Sequence, residues 1–395
     1  MNEISAQQQP RISFFNNPNV RSWLYQACLV CACALLLWGA VSNASYNMSM
    51  RGIPTDFEFW NRIAGFDINQ PLIPYSSQST YGQAFWVGLL NTVMVALISC
   101  VLACAIGFMI GIGRMSSNWV IARLSTVYVE TIRNIPLLLQ LLFWYNAVLK
   151  PLPAPRQSIS FFDVIFLNNR GLILPDVQGT AHVTSFGLAL CAAISVSVIF
   201  AVFARNHHSK TGVRHPIWPV ACACLIGFPL LAAGIFGAPF TASIPHLRGF
   251  NFDGGMRVLP ECVALIIGLS LYTASFIAEI VRAGIQSVPS GQREAALSLG
   301  LPHVHILSKI IIPQAMRVIV PPLTNQFLNL TKNSSLAVFI GYPDLVQVFM
   351  GTVLNQTGAA VQVIAITMLI YLGLSLLTSA LMSAVNKRWT LRERA

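Results

Sequence analysis

About eight times along its 395 residues the sequence runs apolar for some twenty residues or more. The runs are Trp23–Ala44, Trp86–Ile112, Leu124–Leu149, Thr184–Ala204, Ile217–Gly237, Leu259–Ile285, Val318–Ile340 and Ala359–Val385. Each is long enough as a helix to cross the ~30 Å hydrocarbon core of a bilayer. Backbone polar groups in lipid must be paired within the chain, so the runs are expected to be helices rather than open strands. No alternating barrel-strand pattern is visible, which leaves an all-α polytopic membrane protein with about eight transmembrane helices. The composition agrees: 55% of residues are hydrophobic and only 9% charged, where soluble domains carry about a quarter charged residues. The first run is longer than a signal-peptide core and lacks a small-residue cleavage site.

A net charge of +11 invites a nucleic-acid reading, but the placement of the charges refuses it. With eight spans and an inside N-terminus, the inner segments gather Arg11, Arg21, Arg114, Arg123, Arg205, Lys210, Arg214, Arg282, Arg293, Lys309, Arg317, Lys387, Arg388, Arg392 and Arg394. Only Glu3, Glu294 and Glu393 oppose them there, while basic and acidic residues balance in the outer segments. Such a bias follows the positive-inside rule. It is expected to place both termini, and the polar stretch between the sixth and seventh runs, in the cytoplasm. The basic excess is then topology, not a nucleic-acid face.

Other chemistry finds little support. All nine cysteines fall in apolar stretches, where cysteine serves as a small hydrophobe; Cys28 and Cys31 form a C-x-x-C pair without any polar context. The histidine pairs His207–His208 and His303-x-His305 lie in basic loops with no carboxylate or thiol nearby. Neither a metal set nor a nucleophile–base pair appears in the spans. The chain contains no Gly-Lys dipeptide, hence no phosphate-binding G-x-x-x-x-G-K-[ST] loop.

Residues 294–313 read EAALSLGLPHVHILSKIIIP. Glu294-Ala295-Ala296, Gly300, Ile310, Ile312 and Pro313 carry the spacing of a helix–turn–helix link. Ser290 suits an N-cap, Gly300 a left-handed helix stop, and Pro302 resists continuation; a second short helix is expected to run from Leu301 to Pro313. This spacing resembles the EAA loop of ABC importer membrane subunits, with Ile312 where that pattern usually has Leu. Three further stretches sharpen the resemblance: Tyr128–Gln140, Leu269–Ile285 and Leu330–Leu336 are similar to core segments of the histidine-permease, polar-amino-acid type. The extra helices in 1–80 and 151–256 resemble the larger permease subunit of general L-amino-acid importers.

The resemblance implies a permease core of five helices around a cytoplasmic EAA coupling loop. It divides the chain into an N-terminal helix and periplasmic loop (1–80), a first core part (81–150), an insertion with two added spans (151–256) and a second core part (257–395). It implies a pore subunit of an ATP-driven importer moving L-amino acids inward across the bacterial inner membrane. The implied partners are a cytoplasmic ABC ATPase dimer, a second related permease subunit or another copy of this one, and a periplasmic amino-acid-binding protein. The chain itself needs no cofactor, ATP and Mg belonging to the ATPase. An ion-coupled secondary transporter is the main alternative, and no internal repeat of the kind common in that class is evident.

Charges inside spans are costly and usually functional. Tyr272, Ser275 and Glu279 recur at i, i+3, i+7 and so share a helix face; Asn325, Asn329 and Lys332 do the same on the next core span. Glu130, Arg133, Leu137 and Gln140 make a third stripe, interrupted by Pro136, which lacks a backbone donor. The three stripes are expected to converge as a substrate path, with Glu279 and Lys332 able to pair across it. A path holding both signs suits an amino acid.

Overall fold

The computed structural model describes residues 18–389 apart from positions 55 and 214. Of the charges used above for topology, Glu3, Arg11, Arg214, Arg392, Glu393 and Arg394 lie outside the described residues. Helix α1 (Pro18–Met50) has no buried apolar side chain among residues 21–50. Helix α2 (Tyr81–Gly113) starts at a capping box: Gln83 N–H donates to Thr80 Oγ1 at 3.3 Å, and Thr80 N–H to Gln83 Oε1 at 3.1 Å. That arrangement satisfies two of the amides a helix start leaves free.

Helices α3 (Trp119–Asn134) and α4 (Leu137–Leu142, continued in π-helical form to Leu149) meet at a 106° bend. The expected single span Leu124–Leu149 is therefore broken, not merely loosened. Pro136 cannot donate to the helix ladder and disfavours helical geometry in Ile135 before it. Gln140 repairs the break: its Nε2 donates to the carbonyls of Ile132 at 2.8 Å and Ile135 at 2.9 Å. Gln140 and Leu137 are both buried, which corrects their expected place on an open stripe.

Helix α5 (Val183–Thr211) and helix α6 (Ile217–Phe236) pack on each other as a hairpin. The segments flanking the hairpin form short strands. β1 (Ile159–Phe161), β2 (Ile165–Asn168), β3 (Gly171–Leu174) and β8 (Met256–Val258) make one antiparallel sheet in that order. β4 (Asp176–Gly179) pairs with β5 (Phe240–Ser243), and β6 (His246–Arg248) with β7 (Asn251–Asp253). Pairing of Leu172 with Val258 and Asp176 with Ser243 ties the chain before α5 to the chain after α6. The hairpin thus leaves and returns at one end of the molecule.

Helix α7 (Pro260–Gln286) runs beside α2 along most of its length. Small residues allow the close approach: a Cβ on Gly111 would lie 2.8 Å from the Ala278 carbonyl, and one on Gly107 2.7 Å from Ile277. Backbones that approach over small residues are a common solution for helix pairing in lipid. After α7 come the short helices α8 (Ser290–Ser298) and α9 (His303–Ile306), a π-helical stretch to Ile311, and helix α10 (Ile312–Asn333), which continues as a 3-10 segment to Ile340. Pro313 sits in the first turn of α10, where its missing donor costs nothing; it does not end a helix there.

Between α10 and α12 (Ala360–Trp389) the chain folds back through a π-helical stretch, Val346–Val353, and α11 (Leu354–Thr357). Asn91 Nδ2 of α2 donates to the Pro343 carbonyl at 2.9 Å, and Leu345 N–H donates to Thr92 Oγ1 at 3.0 Å. Leu345, Val348, Phe349 and Val353 then join Phe59, Tyr81 and Phe85 in a buried cluster. Among the described residues seven helices are long and apolar enough to cross a membrane, and the bent α3–α4 pair gives an eighth candidate.

Candidate functional site

The link from α7 to α10 is shaped by its own backbone. Gly300 has φ +71°, a conformation only glycine adopts without strain. Its N–H donates to the Leu297 carbonyl at 2.9 Å, and Leu301 N–H donates to the Ala296 carbonyl at 3.2 Å. These two bonds are a Schellman stop, which returns partners to carbonyls that a helix end leaves free. Helix α8 begins at Ser290 itself with Pro289 in the cap position and no side-chain cap bond, so the expected Ser290 cap is corrected. Ala296 and Ile306 are buried, and α8 packs on α9 and the π-helical turn.

The other side of this link faces outward. Glu294 and Ala295 are exposed, Ile310 and Pro313 half-buried, and Ile312 is 40% exposed. Leu299 is 79% and Val304 74% exposed. The link joins α7 directly to α10.

The intramembrane polar residues do not converge as the sequence spacing implied. Glu279 is held by Arg114, the residue capping the end of α2, and by Arg282 one turn along α7; Arg282 Nε also donates to the carboxylate at 3.3 Å. Its carboxylate is thus occupied near the C-terminal ends of α2 and α7. The expected Glu279–Lys332 pairing is corrected: Lys332 lines a separate cleft of about 600 Å³ between α10, α12 and the 3-10 segment, with Ser335, Thr367, Tyr371 and Ser375. Ser275 is buried and its hydroxyl donates to the Tyr272 carbonyl at 2.6 Å. Tyr272 itself stacks near Phe276, with ring centroids 5.0 Å apart.

Asn325, Asn329 and Lys332 are all exposed along one side of α10. Glu130 and Arg133 are exposed on α3 without an ion pair between them; the Arg133 guanidinium instead lies 4.9 Å from the centre of the Phe276 ring. Two residues escaped the sequence reading. Arg114 was counted only as a topology charge, although an arginine directly after a helix of glycines and aliphatics is placed to reach a neighbouring carboxylate. Asp344 was placed at a span border, yet it is buried, accepting from Gln347 N–H at 2.8 Å and from the Tyr371 hydroxyl at 3.3 Å. It ties the fold-back segment to α12. Among the described residues no cluster of His, Cys, Asp and Glu is arranged to hold a metal ion.

Residues 261–391 match the model of the binding-protein-dependent transport system inner membrane component family. The chain is 52% identical over 380 residues to the putative amino-acid ABC transporter permease protein YhdX of Escherichia coli K12, covering 96% of this chain and 97% of that one. It is 46% identical to the general L-amino acid transport system permease protein AapQ of Rhizobium johnstonii, covering 96% and 94%. It is 42% identical to the glutamate/glutamine/aspartate/asparagine transport system permease protein BztB of Rhodobacter capsulatus, covering 91% of each. The chain belongs to this family of ABC importer permeases, and with its apolar helices it is a multi-pass inner-membrane component.

Proposed function

We propose that the chain works as one half of the pore of an ATP-driven L-amino-acid importer, its Ser290–Pro313 link seated on a cytoplasmic ATPase. The observation that carries this reading is the link itself. It is closed by a Schellman stop at Gly300, and its outward face presents Leu299 and Val304 to a missing partner. Glu294, Ala295 and Ile312 complete that face, while Ala296, Ile310 and Pro313 hold it to the bundle. The second half-pore is a related subunit or another copy, and a periplasmic amino-acid-binding protein delivers the substrate. Both termini are cytoplasmic in this reading, and ATP with Mg binds only the ATPase.

The substrate path follows the exposed polar residues of α10, Asn325, Asn329 and Lys332, with Tyr272, Glu130 and Arg133 on the neighbouring helices. Glu279 acts differently: its bonds to Arg114 and Arg282 lock the ends of α2 and α7 beside the link, so motion of the link reaches α2 through a charged tie. Lys332→Met is expected to cut uptake at least tenfold while the subunit still assembles. Glu279→Gln is expected to leave substrate affinity in place but reduce the uptake obtained per ATP. Wild-type uptake in Lys332→Met removes α10 from the path.

Orientation is checked by labelling. Cysteines placed at Lys210 and Arg293 should react only with reagents that reach the cytoplasm, and one at Gly254 only from outside. Labelling of position 210 from outside reverses the inserted hairpin.

A further inference from the structure

At the end of the molecule opposite the Ser290–Pro313 link lies a cavity of about 470 Å³. It falls within the roughly 300–1,000 Å³ typical of small-molecule sites. Four parts of the chain build it. The segment before α2 supplies Asp67; the end of α4 and the first loop of the insertion supply Tyr145, Lys150 and Arg170; and β8 with the start of α7 supplies Arg257 and Glu261. Gly341, Pro343, Gln347, Val348 and Thr352 line it from the fold-back segment, the stretch anchored to α2 through Asn91 and Thr92.

The charges in this cavity are held apart. None of Asp67, Lys150, Arg170, Arg257 and Glu261 is in an ion pair. Four of them, Lys150, Arg170, Arg257 and Glu261, are instead positioned by neutral groups. Glu261 accepts from the Tyr145 hydroxyl at 2.7 Å. Lys150 donates to Asn146 Oδ1 at 3.3 Å, with its ammonium 4.8 Å from the centre of the Tyr145 ring. Arg257 Nε donates to the Arg170 carbonyl at 2.9 Å, and Arg170 donates to Asn251 Oδ1. Charges of both signs around one cavity gain by neutralising each other unless geometry prevents it. Fixed by neutral partners, they keep hydrogen-bonding capacity free for a ligand that itself bears both signs.

We propose that this cavity is a receiving site for a free α-amino acid on the outer face of the subunit, with the insertion contributing Arg170, one of its three cations. The substrate carboxylate meets Arg170, Arg257 and Lys150, where charge-assisted bonds are strongest and guanidinium groups match carboxylate geometry. The ammonium meets Glu261 and Asp67. Three cations against two carboxylates leave one cation over, so an acidic side chain is held better than a basic one. The pairing of β3 with β8 then has a purpose: it brings Arg257 of β8 to the carbonyl of Arg170 in the turn before β3. The inference rests on the import reading above, and its test separates the two.

The assay uses the full importer complex in proteoliposomes without the soluble outer protein. Asn69, on the cavity wall, is replaced by cysteine, and labelling by a membrane-impermeant maleimide is followed by peptide mass spectrometry. Millimolar L-glutamate is expected to slow labelling at least fivefold, L-lysine less, and neither propionate nor propylamine to protect. Thr352→Cys serves as a second reporter if the first variant does not assemble. In parallel, with the binding protein added for uptake, Arg257→Gln and Glu261→Gln are expected to raise KM about tenfold. Absence of protection at both reporters, or equal protection by the single-charge compounds, overturns the proposal while wild-type ATP-driven uptake leaves the import reading standing. Absence of wild-type amino acid uptake overturns both.

Discussion

Replacing Gly300 by valine separates backbone conformation from packing. Nothing lies within 4 Å of where a Cβ at this position would stand, so the substitution introduces no clash. The penalty comes from φ +71°: the left-handed region costs an L-residue about 1–2 kcal/mol, and a β-branched side chain sits at the upper end. If the turn opens, the carbonyls of Ala296 and Leu297 lose the partners they have now, at about 1 kcal/mol each. Those bonds oppose opening, so the strain alone, about 1–2 kcal/mol, lowers the population of the native turn roughly 5- to 30-fold relative to opened forms. Helix α8 has nine residues, too few to stand without tertiary support, so its outward face loses definition with the turn. ATP-driven uptake in proteoliposomes should fall at least tenfold while the bundle remains folded by size-exclusion chromatography. Gly300→Asn, which tolerates the left-handed region better, should retain most of the activity. Normal uptake together with normal ATPase co-purification in the Gly300→Val protein would falsify the coupling assignment.

The seam between α2 and α7 makes a sharp contrast between two glycines: Gly111→Leu should destabilise the detergent-solubilised protein by about 1–3 kcal/mol through overpacking, whereas Gly187→Ala, with open space around it, should be neutral or stabilising; equal melting temperatures for the two would remove the seam. Gln140→Met keeps the volume but strips two carbonyls at the α3–α4 bend of their donor, and a loss of about 1–3 kcal/mol in thermal unfolding is expected; an unchanged melting curve means the bend is braced by something else.

Hydropathy made the spans legible because lipid imposes a length and a polarity on every crossing helix, whatever its neighbours. The coupling link was legible for a different reason: Gly300 and Pro302 act locally, through their own φ angles. The outer strands left no trace because they are three or four residues long and largely exposed, so no buried face imposes an alternation on Ile159–Phe161 or His246–Arg248. Pro136 announced a disturbance, but whether a helix bends gently or by 106° depends on Gln140 reaching back to cap the broken end. Helical periodicity correctly put Tyr272, Ser275 and Glu279 on neighbouring turns, yet it is blind to what faces them. Arg114 lies 165 positions from Glu279, and only the α2–α7 seam brings the two together. The outer cavity was invisible for the same reason, since its walls come from four separated parts of the chain.

The central claim is that this chain conducts amino acids under the control of an ATPase rather than of an ion gradient. The direct measurement is uptake of a radiolabelled L-amino acid into proteoliposomes holding the permease pair, the ATPase and the binding protein. Uptake should require enclosed ATP on the ATPase side and persist when ionophores collapse every ion gradient. Uptake that proceeds without ATP or ATPase and stops with the ionophores contradicts it.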